Sequence, residues 1–198
     1  MKRKIPLELP KTSELKTELK REQYKQRYRR TLRSTVSVLI VVAAVAVLAS
    51  TLWFPAIKIF GDSMSPTLRK GEIVVAVKGN YYKPGDVVGF YYGNKLLIKR
   101  FIAGPGDWVN IANDGTVYVN DIELAEPYLK EKAFGDCNIK LPYQVPEGRY
   151  FVLGDHRAIS IDSRNATVGC IAEEQMVGKI FFCIWPFSEF GQIKGGKG

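Results

Sequence analysis

The sequence predicts a mainly β protein, in which an antiparallel sheet or barrel-like domain follows a single N-terminal transmembrane helix. Two observations lead to this prediction. Residues 34–57 carry no charged side chain, which is typical of a membrane span. From Ile57 onward, short apolar and β-branched runs alternate with Gly, Pro, Asn and Asp, without a helical period. That pattern is typical of antiparallel strands.

The positive charge of the chain is concentrated at its N-terminus. The net charge is +9 over 198 residues. Residues 1–33 hold 12 Lys and Arg against 4 Asp and Glu, whereas residues 34–198 hold 17 against 16. A nucleic-acid-binding protein would carry basic residues on its folded domain, so we expect no nucleic-acid partner. The basic tail, either helical or disordered over residues 12–30, is expected to lie against anionic membrane lipid.

The uncharged segment is long enough to cross a bilayer. As a helix it spans about 36 Å, and the hydrocarbon core is roughly 30 Å thick. Pro55 is expected to end the helix, and Arg33 belongs to a cluster of arginines on its N-terminal side. Positive residues stay in the cytoplasm. We therefore predict a cytoplasmic tail at residues 1–33, an anchor at 34–57 and an extracytoplasmic domain at 58–198.

A cleavable signal peptide is the alternative interpretation of this segment. Its apolar region would be only about 7–15 residues long, and its charged leader would be shorter than the 33 residues found here. An uncleaved anchor in the cell membrane is therefore favoured.

Strands are predicted wherever apolar and β-branched residues run between turn residues. A hairpin is expected where Asn113-Asp114-Gly115 separates two such runs. The predicted strands are Glu72–Lys78, Val87–Tyr92, Leu96–Ala103, Trp108–Ala112, Thr116–Asn120, Tyr150–Leu153 and Met176–Trp185.

Metal chemistry is not indicated by the sequence. The three cysteines, Cys137, Cys170 and Cys183, are widely spaced, and His156 is the single histidine. A zinc site would need ligands closer together. We expect no metal and no cofactor. We interpret the cysteines as packing residues, and the alternative is one disulfide whose pair the sequence does not specify.

A serine nucleophile is one interpretation of the segment that follows the anchor. Ser63 lies in Gly61-Asp62-Ser63-Met64-Ser65-Pro66, and such a turn can expose a hydroxyl and direct backbone N–H groups at an oxyanion. An ordinary surface turn fits the same residues. A triad with histidine would depend on His156 alone.

A neutral lysine is the other base that can activate serine. In a strand, Lys99 shares one face with Leu97 and Phe101, so apolar neighbours would remove its amine from water and lower its pKa. The alternative is a lysine whose amine extends to solvent from an edge strand.

A third polar segment, Gly154–Arg164, follows the strand predicted at Tyr150–Leu153. Asp162 and Arg164 have the charges to pair, and Ser160 has a hydroxyl that can bond to a neighbouring group. A capped surface loop fits this composition as well.

These three segments, in this order behind an anchor, resemble the type I signal peptidases, particularly the short Gram-positive kind. Gly61–Leu68 matches a Gly-x-Ser-Met-x-Pro-Thr-Leu box, and Lys99–Asp107 matches a Lys-Arg box that runs into Pro-Gly-Asp. Gly154–Arg164 matches a Gly-Asp-Asn-Arg…Ser-x-Asp-Ser-Arg box. Gly178-Lys179 and Trp185-Pro186 also fit, so the resemblance covers nearly all of the chain from the anchor onward.

The resemblance implies a membrane-bound serine endopeptidase that removes signal peptides. Ser63 would attack the scissile carbonyl, Lys99 would accept its proton, and Ser160 would orient the lysine amine. Asp162 and Arg164 would form an ion pair that holds their loop. The resemblance also implies a β-rich catalytic domain with an apolar surface near the lipid. The substrates would be exported preproteins with small residues at −1 and −3 of the cut.

Two positions depart from the family pattern. His156 replaces the Asn of the third box, and we expect this to be tolerated. Some relatives have a hydroxyl residue that supports the oxyanion hole where this chain has Gly61. In this chain the oxyanion hole would then depend on the backbone N–H of Ser63 and on other groups.

Other classes of protein remain as alternatives. A membrane-tethered β domain that only binds a partner would show no turnover. A sortase-like transpeptidase would need a reactive cysteine beside His and Arg, and a self-cleaving repressor would need a DNA-binding domain in place of the anchor.

Overall fold

The N-terminal part of the structure, a computed structural model, is one long helix. Residues 12–79 and 81–193 are described, so the first eleven residues of the predicted tail lie outside the described part. Helix α1 runs over Thr12–Trp53. It therefore includes the uncharged segment from residue 34 as far as Trp53. Within the described residues, it is the one helix long and apolar enough to cross a membrane. Residues 12–30, predicted as helical or disordered, are helical.

The rest of the described chain forms a compact unit of short strands. The strands are β1 (Ala56–Lys58), β2 (Ile73–Val77), β3 (Val87–Tyr92), β4 (Lys95–Ala103), β5 (Trp108–Ile111), β6 (Val117–Val119), β7 (Ile122–Glu123), β8 (Tyr143–Gln144), β9 (Arg149–Leu153), β10 (Ile171–Ala172), β11 (Met176–Trp185) and β12 (Gly191–Gln192). Two 3-10 turns, Glu173–Gln175 and Phe187–Glu189, lie between the last strands.

The strands form two antiparallel sheets. The larger has the order β1-β2-β11-β3-β4-β9-β10, with β12 beside β11, and the smaller has the order β7-β6-β5-β8. All pairings among the described strands are antiparallel. The predicted fold class, mainly β behind one apolar helix, is confirmed.

Three clusters of buried side chains stabilise these sheets. The first surrounds Val74 and Ile180 on the central strands, and the second surrounds Phe151 and extends to the smaller sheet through Val109. The third surrounds Phe90. Burial of these side chains removes apolar surface from water, which is the dominant favourable term in folding.

Strand β4 lies between two buried strands of the larger sheet. It pairs with β3, where Lys99 is opposite Val88, and with β9, where Arg100 is opposite Leu153. The exposure along β4 falls from Lys95 to a fully buried end at Ala103. The second half of β4 is therefore held on both sides, and its charged side chains are directed into the interior.

The structure adds strands that the sequence did not predict. The runs at Val87–Tyr92 and Met176–Trp185 match β3 and β11 in full, and the hairpin at Asn113–Gly115 joins β5 to β6. The short strands β1, β7, β8, β10 and β12 were missed because two or three residues show no period. Strand β1 includes Ala56 and buried Ile57, so the sheet begins inside the range assigned to the anchor. That boundary stays a prediction.

The three cysteines are free, and two of them are buried. Cys170 packs in the second cluster and Cys183 in the first, whereas Cys137 is half-buried in a loop.

Gly178→Ala is expected to destabilise the domain. Gly178 has φ 148°, and an added Cβ would lie 2.8 Å from the Val77 carbonyl carbon and 3.1 Å from Lys78 Cα. The variant should lose about 1–3 kcal/mol, measured by thermal unfolding of the full chain in detergent. Gly79→Ala is the matched control, because no atom lies within 4 Å of its Cβ position. Equal melting temperatures for the two variants would contradict this account of β11.

Candidate active site

Ser63 lies in a tight turn between β1 and β2. The turn is closed by two backbone bonds, from Ser65 N to Asp62 O at 3.0 Å and from Leu68 N to Met64 O at 2.9 Å. Met64 and Leu68 are buried in the first cluster, whereas Ser63 is half-buried. The apolar side chains anchor the turn, so the Ser63 hydroxyl is held at the surface of the domain.

The Lys99 amine reaches this hydroxyl from β4. Lys99 Nζ lies 2.7 Å from Ser63 Oγ and 3.0 Å from Ser160 Oγ. The residue is only 4% exposed. The three side chains, from segments far apart in the sequence, therefore meet at one nitrogen atom.

Burial changes the protonation of this amine. Desolvation lowers the pKa of Lys99 from its ordinary 10.5 to about 8. The negative charge of Asp162 opposes the shift, the positive charge of Arg164 adds to it, and Asp155 opposes it. A buried ammonium is unfavourable because it loses hydration, so a substantial part of the lysine is neutral near pH 8.

Gly154 lets the Ser160 loop approach the Ser63 turn. A Cβ on Gly154 would lie 2.6 Å from both Ser160 Cβ and Ser63 O, and still closer to Ser160 Oγ. His156 N donates a hydrogen bond to Ser63 O at 3.0 Å. The backbone of this loop therefore packs directly against the serine turn, which only glycine allows at that contact.

Asp162 and Arg164 form a buried bidentate ion pair. Arg164 Nε and Nη2 donate to the two Asp162 oxygens, each at 2.9 Å. Asp162 Oδ2 also accepts from Gly154 N at 3.0 Å. The pair therefore fixes the amide of Gly154 as well as its own loop.

A second buried pair, between Arg100 and Asp155, was not predicted from the sequence. Arg100 Nε donates to Asp155 Oδ1 at 2.7 Å and Arg100 Nη2 to Asp155 Oδ2 at 2.5 Å. Thr67 Oγ1, in the serine turn, donates to the same carboxylate. The pair joins the three segments on the side opposite Lys99. A signal was available, because Arg100 shares its strand face with Ile98 and Ile102 and a charge there requires a buried partner.

A groove of about 120 Å³ includes Ser63 and Lys99. It is lined on the N-terminal side of the sequence by residues 58–61 and Met64, and from β4 by Leu96, Leu97 and Ile98. Such a groove is open at the edges of two strands, so it can hold an extended peptide through backbone hydrogen bonds.

The two departures from the family pattern are both at the surface. Gly61 is exposed and lines the groove, with no atom within 4 Å of where its Cβ would be. The His156 side chain is exposed, and its contact with the serine turn is made by its backbone.

The Ser63 hydroxyl and the Lys99 amine are in hydrogen-bond contact. Within residues 12–79 and 81–193, no group of three or more His, Cys, Asp or Glu side chains is arranged to hold a metal ion. A hydroxyl beside a buried, partly neutral amine is an arrangement in which the amine can remove the hydroxyl proton.

Comparison with known proteins gives the class of the chain. A family model described as "Signal peptidase, peptidase S26" matches residues 32–185. The chain is 37% identical over 169 residues to signal peptidase I of Bacillus amyloliquefaciens, covering 79% of this chain and 86% of the relative. It is 42% identical over 150 residues to signal peptidase IB of Staphylococcus aureus strain COL, covering 66% and 77%.

A solved structure of an Enterococcus faecalis V583 signal peptidase I matches with a TM-score of 0.43 and 30% identity, over 50% of this chain and 96% of that one. The family model and the two curated relatives define the class: the chain is a serine endopeptidase. It belongs to the signal peptidase family, peptidase S26, as the resemblance predicted.

Lys99→Met is expected to flatten the pH dependence of stability. Between about pH 8 and 10.5 the unfolded chain keeps a proton that folded Lys99 has lost, so the folding stability of the wild type rises with pH across that window. The full difference is on the order of 3 kcal/mol. The Met variant lacks this contribution, which urea unfolding in detergent at several pH values would measure.

Lys95→Met serves as the control, since Lys95 is exposed on the same strand. The folding stability of the Lys95→Met variant should rise between about pH 8 and 10.5 as it does in the wild type. Parallel curves for the wild type and Lys99→Met would show that the amine is not desolvated.

Proposed function

We propose that this chain is a membrane-anchored endopeptidase that removes signal peptides from exported preproteins, with Ser63 as nucleophile and Lys99 as general base. One observation carries the proposal: the buried Lys99 amine lies 2.7 Å from Ser63 Oγ. Family membership supports the reaction, and the contact supports the assignment of the two residues.

The reaction begins with neutral Lys99. Its amine accepts the Ser63 proton while Ser63 Oγ attacks the scissile carbonyl, giving a tetrahedral intermediate. The resulting ammonium then donates this proton to the nitrogen of the scissile bond as the C–N bond breaks, which releases the mature chain as a free amine and leaves the signal peptide as an acyl ester on Ser63. Water, activated by the same lysine, hydrolyses the acyl-enzyme and releases the signal peptide. The Ser160 hydroxyl, 3.0 Å from Nζ, orients the amine throughout.

Charge develops on the carbonyl oxygen during attack. The Ser63 N–H is the donor that we assign to this oxyanion, and Gly61 supplies no side-chain donor beside it. One oxyanion donor is worth about 2.7–4 kcal/mol in comparable sites, so further groups complete the hole. Asp162 and Arg164 act as structural support by fixing the Gly154 amide beside Ser160.

The proposed substrates rest on the groove and the family. The groove is small, about 120 Å³, and its lining includes the apolar side chains of Ile59 and Ile98. Small side chains at −1 and −3 fit such walls, whereas large side chains would meet the strand edges. The proposed substrates are therefore preproteins with Ala or similar residues at these positions.

The proposed location is the cell membrane. The anchor is assigned to residues 34–57, and its membrane-crossing part is the uncharged part of α1 up to Trp53, because Ala56 and Ile57 belong to β1. The basic tail, residues 1–33, stays in the cytoplasm next to anionic lipid. The domain at residues 58–198 works on the extracytoplasmic side.

Ser63→Ala and Lys99→Ala are each expected to lower the cleavage rate by about 10⁴-fold or more, because nucleophile and base act as a unit. The assay uses the full chain in detergent and a preprotein with an Ala-x-Ala cleavage site, followed by gel. Lys95→Ala, at an exposed lysine on the same strand, should retain wild-type activity. Full activity in either site variant would exclude the dyad, and a wild type without turnover would favour a binding module.

A further inference from the structure

Glu126 is a buried carboxylate to which none of the three family boxes gives a role. It lies in the loop between β7 (Ile122–Glu123) and β8 (Tyr143–Gln144). Its side chain is 1% exposed. A carboxylate is almost never buried to this extent unless it is paired, so its partner indicates what it does.

The partner of Glu126 is Arg157 of the third box. Arg157 Nη1 donates to Glu126 Oε2 at 3.1 Å, and Arg157 Nη2 donates to Oε1. The Arg157 side chain is also 1% exposed. Such bidentate contacts fix the relative orientation of the two side chains and also balance their charges. Glu126 therefore determines where the Arg157 guanidinium lies.

Arg157 in turn holds the loop that carries Ser160. Arg157 Nε donates to Gly154 O at 3.1 Å, while Asp162 accepts from Gly154 N at 3.0 Å on the other side of the residue. Gly154 packs against the Ser160 side chain so closely that a Cβ would be 2.6 Å from Ser160 Cβ. A shift of the Gly154 carbonyl would therefore displace the Ser160 hydroxyl from Lys99.

Tyr128 ties the same loop to the second box. Its hydroxyl donates to Glu126 Oε1 at 2.9 Å, and its ring lies 3.7 Å from the Arg100 guanidinium carbon. Cation–π contact of this kind is attractive, more so when water is excluded. Glu126 and Tyr128 thus contact two buried arginines, Arg157 of the third box and Arg100 of the second.

We propose that Glu126 is a positioning residue, which keeps the Ser160 hydroxyl against the Lys99 amine through Arg157 and Gly154. Tyr128 orients the Glu126 carboxylate for this role. The inference rests on the proposed function, because it assumes that Ser160 orients Lys99 during cleavage.

The test compares Glu126→Gln and Glu126→Ala with Glu123→Gln in the full chain, assayed in detergent on the Ala-x-Ala preprotein. Gln keeps the size of the side chain but removes the charge that balances Arg157, and Ala also removes the acceptor of Arg157 Nη1 and Nη2. Misplacement by about 1 Å can cost about 10²-fold in rate. We expect kcat to fall about 10-fold for Gln and about 10²-fold for Ala, with KM within about twofold of wild type.

Glu123→Gln is the matched control from the same region. Glu123 pairs with Lys132 at 3.2 Å, but both side chains are about half exposed, and exposed pairs contribute little. Its kcat should equal that of the wild type. Thermal melts give the folded fraction of each variant, and rates are normalised to it. If the Ala variant does not fold, Glu126→Gln decides the outcome.

A double-mutant cycle with Ser160→Ala separates positioning from general stability. If Glu126 acts through Ser160, Glu126→Gln should cost less than about threefold in kcat once Ser160 is Ala, because the coupled group is already gone. An equal loss with and without Ser160 would overturn the proposal, as would an unchanged kcat in Glu126→Gln. A wild type that does not cleave the preprotein would instead mean that the proposed function has failed.

Discussion

Lys99 Nζ lies 2.7 Å from Ser63 Oγ and 3.0 Å from Ser160 Oγ, on a residue that is 4% exposed. In water a lysine is fully protonated at neutral pH and cannot accept a proton. Removing it from water favours the neutral form, and its pKa falls to about 8. The remaining features of the site exclude water from this amine and keep it aligned with the Ser63 hydroxyl.

The surrounding charges explain why burial lowers the pKa of Lys99 and does not give a simple ion pair with Asp162. A buried lysine next to a free carboxylate would keep its proton. Asp162 does oppose the shift of Lys99, but Arg164 binds both oxygens of Asp162 at 2.9 Å. Its charge is therefore shared with an arginine, which limits how strongly it can stabilise an ammonium on Lys99.

The same need for paired charges accounts for the buried arginines near the site. Arg100, Arg157 and Arg164 are fully buried, and each has a carboxylate partner in Asp155, Glu126 and Asp162. Buried pairs contribute little net stability, but the loss of one partner is strongly destabilising. These pairs instead determine the geometry of the site, since each one fixes the position of a backbone segment that touches Ser63, Ser160 or Lys99.

Much of the fold could be predicted from the sequence, and less of the site. Apolar and β-branched runs bounded by turn residues predicted β3 and β11 to the residue, because such runs are long enough to stand out. Strands of two or three residues, such as β10, have no pattern to detect. The residues alone made Lys99 a candidate, but they did not distinguish Ser63 from its neighbours. The contact between Lys99 Nζ and Ser63 Oγ joins residues 36 positions apart. The family resemblance was needed to select Ser63 as the partner of Lys99. The close approach at Gly154 and the contact between Glu126 and Arg157 depend on side-chain packing that no local pattern encodes.

The pH dependence of kcat/KM for preprotein cleavage tests the central claim most directly, because kcat/KM reports the pKa of the free enzyme's base. A desolvated Lys99 predicts that kcat/KM rises through about pH 8 and reaches a plateau before about pH 10. A rate that continues to rise beyond about pH 10, the ordinary range of lysine, would contradict a buried, neutral base.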